Sequence, residues 1–460
     1  MKQYVCVLLS LPVLTGAASA KTLTYNQMTT VNMRDQGIPA DERSTNVLLT
    51  RNNLVYGATS GDTCHVFRFD PKTLRITVLG TVRGPNTVVR GMVLDGDTIY
   101  VGTMLTRRQL WLRARGTDKA CELEDASLVQ IRGSFNTGHL YRITGIEEPD
   151  PQIQELGTPV PGQGIHTMAM DRTRGLIYGL TYPGGRFFIY DTKTDKTQQC
   201  SFGRTYTNAS NHMVGMVEVA KELADLTPGE GEWNNRLVAK AMHVRADGTL
   251  YTSGWRGQIL KYDPTVKDVQ KRFSVVGYIP SAPGRQHWNR IDAIVEHAGK
   301  LYIGTSDGYI IRLDPKTDRM ENLGKPVRAV EVMGMVFSTL DGKLYGVNGG
   351  GLEGMSRFWC CDVNKGTFEV DYPAIQVFPN RHRVGDVVCT RDGKLVMAEA
   401  VRVGNLCVLT PGQKKEWAKS GILPEMKTTD PYSPTARANA SAKPVSRAGK
   451  IVGRITRPNA

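Results

Sequence analysis

Short apolar runs recur along the chain, each four to six residues long in order of magnitude and each bounded by Gly, Asp, Asn or Pro. The plainest copy, Gly299 to Thr317, reads GKLYIGTSDGYIIRLDPKT. Two β-rich runs, Leu301 to Thr305 and Tyr309 to Leu313, flank the turn signal Ser306-Asp307-Gly308, and an Asp-Pro-Lys-Thr turn closes the stretch. Aromatic and β-branched residues between such punctuation predict an antiparallel hairpin. The same pattern occurs seven times, in register on Tyr56, Tyr100, Tyr178, Tyr251, Tyr302 and Tyr345, with Val396 at the seventh position. Neighbouring copies are 44, 78, 73, 51, 43 and 51 residues apart. Four of these spacings match a four-stranded propeller blade of about 40 to 50 residues; the two long ones carry insertions.

Ahead of each register strand lies a continuous apolar run, such as Gly91-Met92-Val93-Leu94 or Asp386-Val387-Val388-Cys389. Continuous apolar character predicts an innermost strand buried on both faces. A third strand follows the register strand and ends at Asp70, Asp191, Asp263 or Asp314 in different copies, and a fourth stops at Gly. The last copy runs out after its third strand, Leu406 to Leu409, while Thr30 to Pro39 carries outer-strand text. The expected fold is therefore all-β, a seven-bladed β-propeller over residues 21–423, its ring closed by an amino-terminal strand that completes the last blade.

The two ends read differently. Lys2, the apolar run Tyr4 to Leu14 and the small triplet Ala18-Ser19-Ala20 form a signal-peptide pattern over residues 1–20, with cleavage expected before Lys21 and a periplasmic or secreted destination. No later stretch is long and apolar enough to suggest a transmembrane segment. Residues 424–460 are rich in Pro, Ser, Ala, Lys and Arg and predict a basic, disordered tail. Seven cysteines remain beyond Cys6, scattered without CxxC spacing, and read as small buried hydrophobes rather than a metal site or disulfide framework. The formal charge of +14 over 460 residues implies an anionic partner. An acidic polysaccharide or oligosaccharide is the expected one, acting on a monomer, with no nucleic acid.

In a propeller, the loop into each inner strand and the loop from second to third strand share one face. Those loops hold Arg90, His166, Lys240, Arg285, His287, Trp288, Arg290, Glu331, Arg381, His382 and Arg383 on one side of the pattern. On the other they hold Tyr182, Trp255, Arg256, Asp307, Asn348, Glu353, Glu399 and Arg402. Guanidinium forks suit a carboxylate and flat aromatic faces suit a sugar ring. Arg107, Arg108, Trp111, Arg113 and Arg115 in the Met104 to Thr137 insertion read as a solvated charge cluster. Val214 to Leu226, in the other insertion, has helical spacing. His243 and His297 read as structural, and His65 lacks metal-ligand spacing. The sequence contains no GxSxG, HExxH, P-loop or EF-hand motif.

The units GLIYGLTYPGGRFFIYDTKT and GKLYIGTSDGYIIRLDPKT resemble those of exported bacterial seven-bladed propellers, among them polysaccharide lyases of the ulvan and oligogalacturonate types. The resemblance implies β-elimination on a uronic-acid-containing glycan. Arg290 or Arg256 would neutralise the uronate carboxylate, His166 would take the C5 proton, and Tyr182 would protonate the leaving oxygen. Arg90, Lys240, Trp255, His287, Trp288, His382 and Arg383 would bind substrate. No cofactor is expected, with a divalent ion in the channel as an option. The alternative reading is a non-catalytic glycan- or protein-binding propeller. A quinoprotein-like oxidoreductase lacks its tryptophan docking motif here, and a streptogramin-lyase type needs only His, Glu and a metal.

Overall fold

The computed structural model describes residues 29–38, 44–61, 63–82, 87–105, 138–161, 163–182, 186–200, 239–254, 257–268, 271–281, 289–327, 331–349, 356–371, 384–400 and 404–411. The signal-peptide pattern, the basic tail, the arginine-rich insertion and the helix expected at Val214 to Leu226 lie outside the described residues.

Seven four-stranded antiparallel sheets follow one another along the chain. In the first, Ser44–Arg51, Leu54–Ser60, Cys64–Asp70 and Arg75–Val82 are paired in sequence order from inner to outer edge. Five further blades repeat this order, with inner strands Thr87–Asp95, Gly164–Asp171, His243–Val244, Ile291–His297 and Val332–Phe337. The seventh blade has Val384–Cys389, Leu395–Glu399 and Asn405–Leu409, and its outer strand is Thr29–Asn32 from the other end of the chain. Val31 pairs with Leu406 and Thr29 with Val408. The chain is thus a seven-bladed β-propeller closed in the expected way. The closing strand is shorter than Thr30 to Pro39, because Met33–Gln36 turns into a 3₁₀ helix capped by Asn32 and by Gly37 at φ 88°.

The core is divided into seven hydrophobic clusters, one at each junction between adjacent blades, including the junction of the seventh with the first. The register residue explains this division. Tyr56, Tyr100, Tyr178, Tyr251, Tyr302, Tyr345 and Val396 each lie in the cluster shared with the following blade. Strand alternation turns the adjacent position to the opposite face, and in the first, third and sixth blades it is glycine. At Gly346 an added Cβ would sit 2.2 Å from Cζ2 of the buried Trp359, and at Gly179 it would sit 2.0 Å from Cζ of Phe188. In these blades glycine leaves room for an aromatic ring of the third strand on the face opposite the register tyrosine.

Three residues after the register position a second device repeats. The hydroxyls of Thr59, Thr103, Thr181 and Thr305 accept the backbone N–H of His65, His139, Arg186 and Tyr309 at 2.9 to 3.0 Å, fixing the start of the third strand. In the sixth blade Asn348 takes this place and accepts from Trp359 Nε1 at 2.6 Å; in the seventh Glu399 takes it and accepts from Asn405 Nδ2 at 2.5 Å. Cys64, Cys360, Cys361 and Cys407 are buried free thiols, and Cys389 is a partly buried one. His243 and His297 are structural as read: the first contacts Glu296 at 3.1 Å, and the second stacks on Phe337 with ring centroids 4.0 Å apart.

Candidate functional site

Six of the seven inner strands carry one extra residue near their start. In the second blade Val89 pairs with Thr103 and Gly91 with Gly102, leaving Arg90 between them. The same irregularity leaves His166 in the third blade, Asp292 in the fifth, Met333 in the sixth and Gly385 in the seventh. In the first blade it falls at Asn46 and Val47 opposite Ala58. The fourth inner strand is short, but His243 pairs with the register residue Tyr251, so Lys240 holds the equivalent place. A β-bulge bends a strand and re-aims its side chain. Six bulge positions and the equivalent place of Lys240 in the fourth blade recur at one end of the inner strands, and blades two to five supply Arg90, His166, Lys240 and Asp292 to this ring.

The geometry around Lys240 and Asp292 is tight, and Arg290 and Glu331 complete it. Asp292, whose side chain is fully buried, accepts from Arg290 Nε on Oδ1 at 2.9 Å and lies 3.5 Å from Lys240 Nζ through Oδ2. Glu331, at the start of the sixth blade, brings Oε1 to 3.2 Å from the same Lys240 Nζ and 3.9 Å from Arg290 Nη2. The backbone ties the pieces together: Lys240 N donates to Ile291 O at 2.9 Å, and Ser306 N to Arg290 O at 3.1 Å. Burial lowers the Lys240 ammonium from its ordinary 10.5; Asp292 and Glu331 oppose that shift, while Arg290 and Arg90 add to it.

His166 keeps a solvent-facing edge although protein surrounds the rest of the ring. Burial, then the charges of Arg90, Arg290 and Lys240, hold its pKa well below the ordinary 6.5. The imidazole is therefore neutral at physiological pH. Its Nδ1 lies 3.4 Å from Met104 Sδ. A thioether sulfur accepts and cannot donate, so this contact favours the proton on Nδ1 and the lone pair on Nε2.

Of the residues named from sequence, the fold joins Lys240 and Arg290 through Asp292 and Glu331, and it places Arg90 and His166 at the bulge positions of the second and third blades, within range of their charge. Tyr182 pairs through its backbone with Gly164, two residues before His166. Arg256, Trp255, His287, Trp288, His382 and Arg383 lie outside the described residues. Three loop residues expected on the open face are instead buried in the blade packing: Asp307 at 3% exposure, Asn348 and Glu399 at 0%. Asp292 is the carboxylate that sequence reasoning missed; Glu331 stands among the face loops without a role. Asp292 reads as the first residue of an apolar run, and the signal that finds it is the bulge register rather than the loop. Among the described residues no group of three His, Cys, Asp or Glu could hold a metal ion, and no helix is long and apolar enough to cross a membrane.

On the opposite arc of the ring Asp386 is buried beside its bulge, accepting from Leu48 N at 2.9 Å and Val387 N at 2.8 Å. Burial pushes its carboxyl from 3.8 up to about 7 against those two bonds. Between these values the folded protein holds a proton that the unfolded chain lacks, so stability falls as pH rises from 3.8 to about 7 and levels off above. The full span is at most about 4 kcal/mol. In Asp386→Asn this part of the slope is expected to vanish, read as melting temperature against pH from 5 to 8 in order of magnitude; an unchanged slope would assign the dependence elsewhere.

No protein-family model matches the chain, and no curated protein matches it significantly in sequence. Among solved structures, the extracellular domain of BT4673 from B. thetaiotaomicron, a protein named as a hybrid two-component system, superposes with a TM-score of 0.52 at 12% identity, covering 82% of this chain and 39% of that one. A second structure of that domain, titled as a one-component system, gives 0.49 at 12% identity over 83% of this chain and 40% of that one. A chain of the mitotic checkpoint complex gives 0.48 at 12% identity over 84% and 95%. This chain therefore spans about two-fifths of the length of the BT4673 structures it matches. At such identity the likeness is one of architecture, and what the comparisons establish is that this chain is a seven-bladed β-propeller.

Proposed function

We propose that this protein is an exported, monomeric, carbohydrate-active propeller that binds the carboxylate of a uronic-acid-containing glycan at the channel mouth and cleaves the chain by β-elimination, in the manner of the propeller polysaccharide lyases its repeats resemble. What supports the reading is the placement of Arg90 and His166 at the bulge positions of neighbouring blades beside the Lys240–Asp292–Arg290 cluster, where burial and the positive field keep the imidazole neutral. Cations neutralise the uronate carboxylate and acidify the adjacent C5 proton. A neutral imidazole can take that proton. The electron pair then forms the C4–C5 double bond as the C4–O bond breaks, and the leaving oxygen receives a proton from Tyr182. The bound carboxylate also offsets the positive field on His166, so the base strengthens as substrate arrives. On sequence grounds alone, Arg256 is assigned to share the neutralising role of Arg290, and Trp255, His287, Trp288, His382 and Arg383 to substrate contacts.

The second reading, a glycan- or protein-binding propeller without catalysis, is favoured by the internal pairing of Lys240 and Arg290 with Asp292 and Glu331. Incubation with polygalacturonate, alginate or ulvan separates the two. The lyase reading expects ultraviolet absorbance from an unsaturated product and new reducing ends. Saturable binding with neither signal would leave the binding reading standing.

A further inference from the structure

Two carboxylates hold the cations of the channel mouth, and they are not equivalent. Asp292 is fully buried and contacts Arg290 and Lys240 from within the inner strand. Glu331 retains 26% side-chain exposure and reaches the same two cations from the solvent side. Its backbone is unusual for a residue with a side chain: φ is 56°, in the left-handed region, and such conformations persist where the surroundings over-determine them, often at ligand clamps. Here the surroundings are two backbone bonds, Glu331 N to Ser306 O and Gly349 N to Glu331 O, both 2.9 Å. With the main chain pinned, a rearrangement at this position falls to the side chain.

We infer that Glu331 is an internal stand-in for the ligand's carboxylate, a specificity-determining residue that occupies Lys240 and Arg290 until an incoming carboxylate displaces it. This rests on the reading that the mouth binds uronate. A charged carboxylate already at the cations makes neutral sugars unable to displace it, since they bring no charge to compensate, and weakens every anionic ligand by the cost of exchange. Asp292 remains beneath and keeps both cations in place after the exchange.

The test uses acetate as a bare carboxylate probe and digalacturonate as the sugar probe, both titrated by ligand-observed NMR against the full chain. Glu331→Gln removes the charge. Glu331→Gly removes the side chain and suits the left-handed backbone, so it guards against a folding defect. Acetate is expected to bind roughly tenfold tighter to both variants than to the parent, and Lys240→Met should abolish the gain. Equal or weaker acetate binding in both variants would overturn the assignment and show that Glu331 only positions the cations. Tighter acetate binding with no digalacturonate binding to any form would uphold Glu331 and sink the uronate reading. Cleavage by the parent with no acetate gain would do the reverse.

Discussion

His166→Ala is expected to lower kcat/KM for unsaturated-product formation by about 10²- to 10⁴-fold, the range for loss of a general base, while changing the affinity for the same oligosaccharide by no more than about threefold. The separation follows from the geometry. The charge that holds a carboxylate comes from Arg90, Lys240 and Arg290, whereas His166 is neutral and adds little to ground-state binding. The pH profile supplies a second, independent reading. A free histidine would give an acid limb at its ordinary value of 6.5, but burial and the three cations hold this one well below it. The acid limb of kcat/KM is therefore expected below 6.5, because that parameter reports the free enzyme. Weakening the cation field with Arg90→Met should move the limb back toward 6.5. Full activity in His166→Ala, or an acid limb unmoved by Arg90→Met, would remove His166 from the reaction. Loss of oligosaccharide binding in His166→Ala, with no product in the parent, would transfer the residue to the binding reading instead.

Much of this molecule was legible before the structure, and the division between what was and was not has a physical basis. A register residue that faces the next blade, tyrosine in six of seven copies, set between Gly, Asp and Pro punctuation imposes a periodic text, and periodic text can be counted. The bulge ring could not be counted in that way. An extra residue in a continuous apolar run leaves no gap in hydropathy, and it changes only which side chain is re-aimed. Arg90, His166 and Lys240 were visible because each is polar and stands just ahead of its run. Asp292 stands inside its run and was absorbed into it. Asp307 shows the opposite failure: a turn aspartate in a loop on the functional face reads as open to solvent, yet the loop folds into the blade packing and leaves it 3% exposed. Loop membership was a guide to the face of the disc, and burial decided which residues on that face are available.

Deletion of residues 1–38 is expected to destabilise the propeller by about 5 kcal/mol, a large share of the 5 to 15 kcal/mol or so that holds a typical domain folded. The removed segment supplies three buried side chains, Val31 at 7% exposure, Met33 at 1% and Ile38 at 3%. They share one cluster with Phe67, Phe69, Leu406 and Val408 at the junction of the seventh and first blades. Each such burial contributes about 1.5 to 3 kcal/mol, less what a compact unfolded chain already buries. Main-chain pairing is lost as well: the ladder from Thr29–Val408 to Asn32–Asn405, and the bond from Met33 N to Gly404 O at 3.0 Å. Asn405–Leu409 would then become an open edge, and an unpaired apolar edge invites pairing with another chain. On the lower face the ring would still be held by Arg391 N to Asn52 O at 3.0 Å and Asp392 N to Asn53 Oδ1 at 2.9 Å. The expected outcome is thus a loosened seventh blade rather than a lost fold. Urea denaturation should give a lower midpoint, and light scattering should report a larger mean particle mass than the parent gives at equal concentration. The point variant Met33→Asp, which leaves the strand in place and puts a charge in the cluster, should reproduce the loss of stability without the new edge. An unchanged midpoint in both would mean that the three remaining strands carry the seventh blade alone.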